Sequence, residues 1–197
     1  MHYLCIVKLK NIIMKKKYLF KIEFKNEEDG INYCLKKGVE IGNIRKYKLD
    51  EVIPFSSRMK GTDGFVLSNM YTCSLCWNEI KFNSLEQLYS YFMFDGKPDI
   101  QDEILRCKNS FEVKKVCKKY GDGKDNFKVL EWCMRLKYLQ CSEFRRILEE
   151  SGDKTLVEYA EWGDVVYGCC KYGNNGLIGQ NGCGRIMMKV REDMKNK

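Results

Sequence analysis

Two carboxylates stand where this chain could meet a developing positive charge. Glu86 lies in SLEQLYSYFMF (84–94), where Ser84 and Gln87 have the spacing of a capping box. That box starts a helix at about Leu85 and puts Glu86 in its first turn, where the helix dipole favours negative charge. A carboxylate so placed, beside Tyr89 and an aromatic such as Phe55, suits stabilisation of a forming cation and makes a poor general acid. The same position also fits an ordinary helix-start signature. Asp164, in EWGDVVYGCC (161–170), follows a strand-like stretch and precedes a glycine. Loops at strand ends often carry functional groups, and aspartate is equally a common turn residue.

Other chemistries find less support. GQNGCGRIMMKVRE (179–192) sets glycines before a helix start, as a phosphate-cradling loop does. It matches neither the dinucleotide fingerprint nor a Walker A loop. The chain has 1 histidine, His2, which rules against a histidine-activated serine or cysteine nucleophile. Of 11 cysteines, Cys73 and Cys76 form the one CxxC, and no second pair completes a zinc knuckle, so no metal site is expected. With no leader-like start, a reducing, cytoplasmic compartment and mostly free thiols are expected.

The elements that must position these residues can be read from pattern. KYLFKIEF (17–24) alternates as a strand does, and NEEDGINYCLKKG (26–38) reads as a helix capped by Asn26 and ended by Gly38. The stretch 50–73 reads as strand and turn, with Gly61, Asp63 and Gly64 in a turn. NEIKF (78–82) is a short strand. Phe127, Leu130, Cys133, Met134 and Tyr138 recur at helical spacing, and Ser142 is the expected cap of a helix ending at Gly152. TLVEYA (155–160) is strand-like, GLIGQNGCG (176–184) a glycine-rich loop, and RIMMKVREDM (185–194) an amphipathic helix. The expected fold is α+β, a mainly helical single domain with a few short strands over 51–197, preceded by a strand–helix extension over 1–50. The opening MHYLCIVKLKNIIMKKK is broken by Lys8 and Lys10 and is too short for a membrane span of about 20 apolar residues. Met14 is a second candidate start.

The chain has 197 residues, 44% hydrophobic and 31% charged, enough for a core and unlike a disordered segment. Its net charge of +8 favours an anionic partner such as a phosphate, nucleotide or nucleic acid. The basic residues are dispersed, which is also the pattern of a solvated lysine-rich surface.

Three stretches, in order and correctly spaced, resemble the NADAR/YbiA-like family. GFVLSNMYTCSLCWNEIKFNSLEQLY (64–89) is similar to its LSNF, short strand and Ser-x-Glu-His-x-Tyr. LKYLQCSEFRRILEESGDKTLVEYAEWGDVVYG (136–168) is similar to its Lys-Phe helix, Thr-Gly turn, strand and Asp-x-x-Trp-Gly. GQNGCGRIMMKVRE is similar to its Gly-x-Asn-x-Leu-Gly and Leu-Met-x-Val-Arg. The resemblance spans about residues 53–194. It departs at Gln87 for histidine, Ser90 for glutamine, Met93 for the lysine before Phe94, Tyr167 for tryptophan and Cys169 for aspartate. For the tryptophan ahead of the central helix, direct spacing gives Asp122 and a small insertion gives Tyr120, which is taken here. Trp132 lies too far along.

The resemblance implies an N-glycosidase that cuts between a ribose carbon and a base or amine nitrogen, on riboflavin-pathway intermediates or on ADP-ribose attached to guanine. Glu86, Asp164 and Tyr120 become the expected catalytic residues. One carboxylate would position water and the other stabilise an oxocarbenium-like state, by analogy with O-glycosidases. The expected ligand site combines Phe55, Ser57, Arg58, Asn69, Tyr89, Tyr167, Gly168, Gly179, Asn181 and Gly184. There Arg58 or a loop amide meets phosphate, and Tyr89 and Tyr167 stack on the leaving base. Removal of ADP-ribose from guanine is the expected reaction. A riboflavin-pathway glycosidase and a weak or inactive ADP-ribose- or nucleotide-binding protein are the alternatives. The expected partner is an ADP-ribose-type or phosphoribosyl ligand, free or on an ADP-ribosylated nucleic acid, with no membrane and no cofactor.

Overall fold

The computed structural model describes residues 21–121 and 126–195. Residues 1–20 of the expected extension, with His2, Met14 and the first half of the strand expected at 17–24, and Asp122 lie outside the described residues. The described chain falls into two compact units. One takes the residues up to Pro54 with Thr155–Arg185, the other Phe55–Lys154 with the residues from Ile186 onward. The fold is α+β and mostly helical, as the sequence pattern implies.

In the first unit, β1 (Glu23–Phe24), β2 (Arg45–Lys48), β7 (Cys170–Tyr172) and β8 (Gly176–Gly179) form one sheet of order β1-β7-β8-β2. β1 runs parallel to β7, and β8 pairs antiparallel with both β7 and β2. Residues 176–179, expected as loop, are therefore strand. Their pairing with Arg45–Lys48 comes from far away in the sequence, and a glycine-rich segment carries no alternation of its own. Helix α1 (Glu27–Lys36) packs on this sheet, and the Asn26 side chain accepts from the Asp29 amide at 2.9 Å to cap it. The helix can lie close because residue 30 is glycine: a Cβ there would stand 2.7 Å from Cγ2 of Ile178. Cys34, Val39, Val165, Cys170 and Ile178 form the core between them. Strand β3 (Ile53–Phe55) pairs with β6 (Leu156–Glu158), and the Ile53 amide donates to the Thr155 carbonyl at 2.9 Å.

The second unit opens with α2 (Asp63–Leu67), a short helix where strand and turn were expected. Gly61 does turn at its approach, but Asp63 and Gly64 begin the helix and Val66 and Leu67 enter the core. β4 (Thr72–Trp77) and β5 (Ile80–Ser84) form a hairpin, turned by Asn78 and Glu79 at φ 45 and 66. That is the left-handed pair a tight hairpin needs. Then come α3 (Leu85–Met93), α4 (Pro98–Leu105), α5 (Ser110–Tyr120), α6 (Phe127–Gln140) and α7 (Ser142–Glu150). The cap of α7 is Cys141, one residue before the expected serine. Helix α8 (Gly182–Lys195) starts earlier than its apolar period suggests. Its later turns are tied by Lys189 to Glu131 at 2.7 Å and by Arg191 to the Ser151 hydroxyl at 2.6 Å.

Lys137 on α6 is fully buried, and its ammonium donates to the carbonyls of Val66 and Ser68, both at 2.9 Å. Burial pushes its pKa down to about 8. It thus fixes the chain on either side of Leu67, just ahead of Asn69. Among the described residues, no helix is long and apolar enough to cross a membrane.

Candidate active site

Glu86 is set by three backbone features. The Ser84 hydroxyl accepts from the Gln87 amide at 3.2 Å, the Gln87 side chain accepts from the Asn83 amide at 2.8 Å, and the Glu86 amide donates to the Asn69 carbonyl at 2.9 Å. The expected capping box is present, with its return bond one residue upstream of the cap. The Glu86 carboxylate keeps 15% of its side-chain surface exposed and faces the Lys114 ammonium at 3.9 Å. Lys114 was not singled out from sequence, since FEVKKVCKKY offers several equivalent lysines. One turn along α3, the Tyr89 hydroxyl accepts from the Asn126 amide at 3.1 Å.

Gln87 is 2% exposed, and its amide nitrogen donates to the carbonyls of Ile104 at 2.9 Å and Cys107 at 3.2 Å. With its oxygen on Asn83, it tethers α3 to the end of α4. Nothing about it points to a proton carrier.

Asp164 sits in a loop of the first unit, half-buried, with Oδ1 accepting from the amides of Val166 at 3.1 Å and Tyr167 at 2.9 Å. The loop is braced by residues from the front of the chain. The Ile22 amide donates to the Glu161 carbonyl at 2.7 Å, and the Tyr33 hydroxyl to the Gly163 carbonyl at 3.3 Å. Beneath it, the amides of Gln180, Gly182 and Cys183 donate to the carbonyls of Val165, Val166 and Tyr167, and that of Asn181 to Gly168. The helix-start amides that a phosphate would need are thus already bonded to the Asp164 loop.

Asn181 is fully buried at φ 54, a conformation asparagine tolerates. Its side chain accepts from the Glu158 amide at 3.1 Å and donates to the Leu156 carbonyl at 2.9 Å and the Tyr47 hydroxyl at 3.3 Å. Gly168, Gly179 and Gly184 are close-approach glycines. A Cβ on them would meet the Glu158, Gly168 and Leu156 carbonyls at 2.8, 2.3 and 2.3 Å. In the second unit, Phe55 is 1% exposed and belongs to the core, Ser57 and Asn69 are half-buried, and Arg58 is exposed. Tyr120 is 42% exposed at the end of α5, its hydroxyl donating to Glu103 at 2.7 Å with the Lys119 ammonium over its ring. Trp132 packs edge-on between Trp77 and Phe92.

The model of the NADAR domain matches residues 55–195. The chain belongs to the NADAR family. Members of this family are generally N-glycosidases. A riboflavin biosynthesis protein of Vibrio vulnificus (strain YJ016) is 27% identical over 139 residues, which is 66% of this chain and 35% of that relative, so the chain spans about a third of its length. The NMR structure of the E. coli protein YbiA is similar in fold, with a TM-score of 0.58 at 19% identity over 74% of this chain and 87% of that one. The Tyr33 and Ile22 braces of the Asp164 loop lie ahead of the NADAR match, so this chain supports a NADAR loop with residues from outside the matched segment.

Proposed function

We propose that this NADAR chain hydrolyses the N-glycosidic bond between a phosphorylated ribose and a base, with ADP-ribose on guanine as the substrate. The observation that carries the reading is Glu86, a carboxylate fixed through its own backbone amide in the first turn of α3 and left partly open to solvent. A ribose leaving its base gathers positive charge at the anomeric carbon, and a carboxylate already in place stabilises it without reorganisation. Asp164, held by two loop amides, is the second carboxylate that the family resemblance implies for this chemistry. The net charge of +8 suits a polyanionic substrate.

A second reading has its own support in the name of the Vibrio relative, a riboflavin biosynthesis protein. On that reading the substrate is a phosphoribosyl intermediate of that pathway. The test offers both substrates to the wild type, Glu86→Gln and Asp164→Asn. Release of ADP-ribose from guanine-modified oligonucleotide, lost in both variants, supports the first reading. Cleavage of the riboflavin-pathway intermediate alone transfers the assignment to the second. Binding of ADP-ribose without any cleavage rejects both and leaves a nucleotide-binding protein.

A further inference from the structure

Behind the Glu86 turn lies a group of reactive side chains that the glycosidase reading does not use. Cys141 ends α6 and starts α7, and Cys73 on β4 is brought beside it, since Tyr71 and Cys76 to either side of Cys73 bond Glu143 and Gln140 to either side of Cys141. Cys73 reaches it because β4 carries an irregularity there. Thr72 pairs with Ser84 and Leu75 with Phe82, so three steps on β4 oppose two on β5. Such a bulge re-aims a side chain out of the strand's alternation. The two elements are locked together next to the pair: the Gln140 side chain accepts from the Cys76 amide at 2.7 Å and donates to the Cys76 carbonyl at 2.9 Å, and the Tyr71 hydroxyl bonds Glu143. The fully buried Lys137 ammonium acts on both sulfurs.

These surroundings divide the pair. The neighbouring Cys73 thiol lowers the Cys141 pKa, with the Phe144 amide and the Lys137 charge adding to it, while Cys73 is raised as the partner that keeps the proton. A thiolate at a helix start beside a cation is the reactive form of cysteine. The contrast within the chain is sharp, because Cys34, Cys133, Cys169 and Cys170 are wholly buried and all raised by desolvation. Cys141 keeps 8% exposure and Cys73 is half-buried. A surface hollow of about 460 Å³, lined by Ser142, Glu143, Arg145, Arg146 and Glu149, opens along α7 from the residue after Cys141.

We propose that Cys73 and Cys141 are an oxidant-sensing pair in which a hydroperoxide oxidises Cys141 and Cys73 resolves it to a disulfide. The Cys141 sulfur attacks the terminal peroxide oxygen. The O–O bond breaks, and the leaving oxygen takes up the proton that Cys141 had released, giving water or an alcohol. The Cys73 sulfur then attacks Cys141, the S–O bond breaks, and the hydroxyl departs with the Cys73 proton as water. Two thiols and one hydroperoxide thus yield one disulfide, one water and one further water or alcohol. In a reducing compartment such a bond is a transient signal rather than a structural link. It has a route to the glycosidase site, since the Leu85 amide interacts with the Cys73 sulfur and Leu85 precedes Glu86. Disulfide formation turns that sulfur toward Cys141 and loosens the first turn of α3.

The experiment treats the full reduced wild-type chain with one equivalent of hydrogen peroxide, blocks the remaining thiols and maps the peptides. The Cys73–Cys141 linked peptide is expected before modification at any other cysteine, with faster amide exchange at Leu85–Gln87. Cys73→Ser is expected to stop at a dimedone-trapped sulfenic acid on Cys141. First oxidation at Cys76, or no Cys73–Cys141 link in the wild type, overturns the proposal without reference to any variant's folding.

Discussion

A side chain here is set as much by what its backbone does as by its own charge, and Glu86 and Gln87 divide along that line. Glu86 is positioned by its amide on the Asn69 carbonyl, and its carboxylate faces the half-exposed Lys114 ammonium at 3.9 Å. A long pair with its lysine half-exposed contributes about 0.2–1 kcal/mol. Glu86→Gln therefore keeps the helix, and its thermal midpoint should stay close to wild type, while turnover of the substrate falls about 100-fold or more if the charge meets the ribosyl cation. Gln87 is the reverse case. Its side chain answers the Asn83 amide and the Ile104 and Cys107 carbonyls in a buried place. Gln87→Leu strands those groups, each at about 1–3 kcal/mol, so urea unfolding should show a loss of about 3 kcal/mol before any effect on chemistry is considered. A melt that moves for Glu86→Gln and not for Gln87→Leu would reverse these assignments.

Among elements, the close of the chain shows how a loop can be positioned by being clamped. The segment around Asn181 spends its amides on the carbonyls of Val165–Gly168 and its side chain on Leu156 and Glu158, so the Asp164 loop and β6 are held from one side. Gly184 makes this possible: the Leu156 carbonyl lies 2.3 Å from where a Cβ would be, and backbone cannot step aside as a flexible side-chain end can. Gly184→Ala should cost about 1–3 kcal/mol by overpacking and lower activity together with stability, in contrast to Asp164→Asn, which should lower activity alone. Local signals were legible at this scale. Asn26 and Gly38 bounded α1, and the Ser84–Gln87 pair placed the start of α3 at Leu85. What sequence did not show was non-local. β8 looks like a glycine loop until Arg45–Lys48 pairs with it, and the bulge that turns Cys73 toward Cys141 exists only in the register of β4 against β5. Lys137 and Lys114 carry no local mark that separates them from the other basic residues of their helices.

The whole molecule joins a basic, dispersed surface to an interior rich in protonated thiols. The described cysteines are all free, and most are buried. That composition sets a direction for stability at alkaline pH. Cys34, buried against the sheet of the first unit, has its pKa pushed up to about 11 from an ordinary 9.0 by desolvation. An acid raised in the folded state gives stability that is fully present below pH 9 and is lost as pH climbs through about 11, because the unfolded chain releases the proton first. Cys170 acts in the same sense, pushed up to about 12. Lys137 acts in the opposite sense: lowered to about 8, it lets the folded state shed its proton first, so its contribution improves between about 8 and 10.5. A single pH curve therefore mixes the two. The difference between wild type and Cys34→Ala removes the lysine, which is common to both. That difference should be flat from pH 6 to 8 and then narrow by up to about 2 kcal/mol by pH 10.5, measured by urea unfolding under reducing conditions. A gap that stays constant to pH 10.5 would mean that the Cys34 thiol titrates alike in both states and that its pocket is wetter than the packing of α1 on the sheet implies.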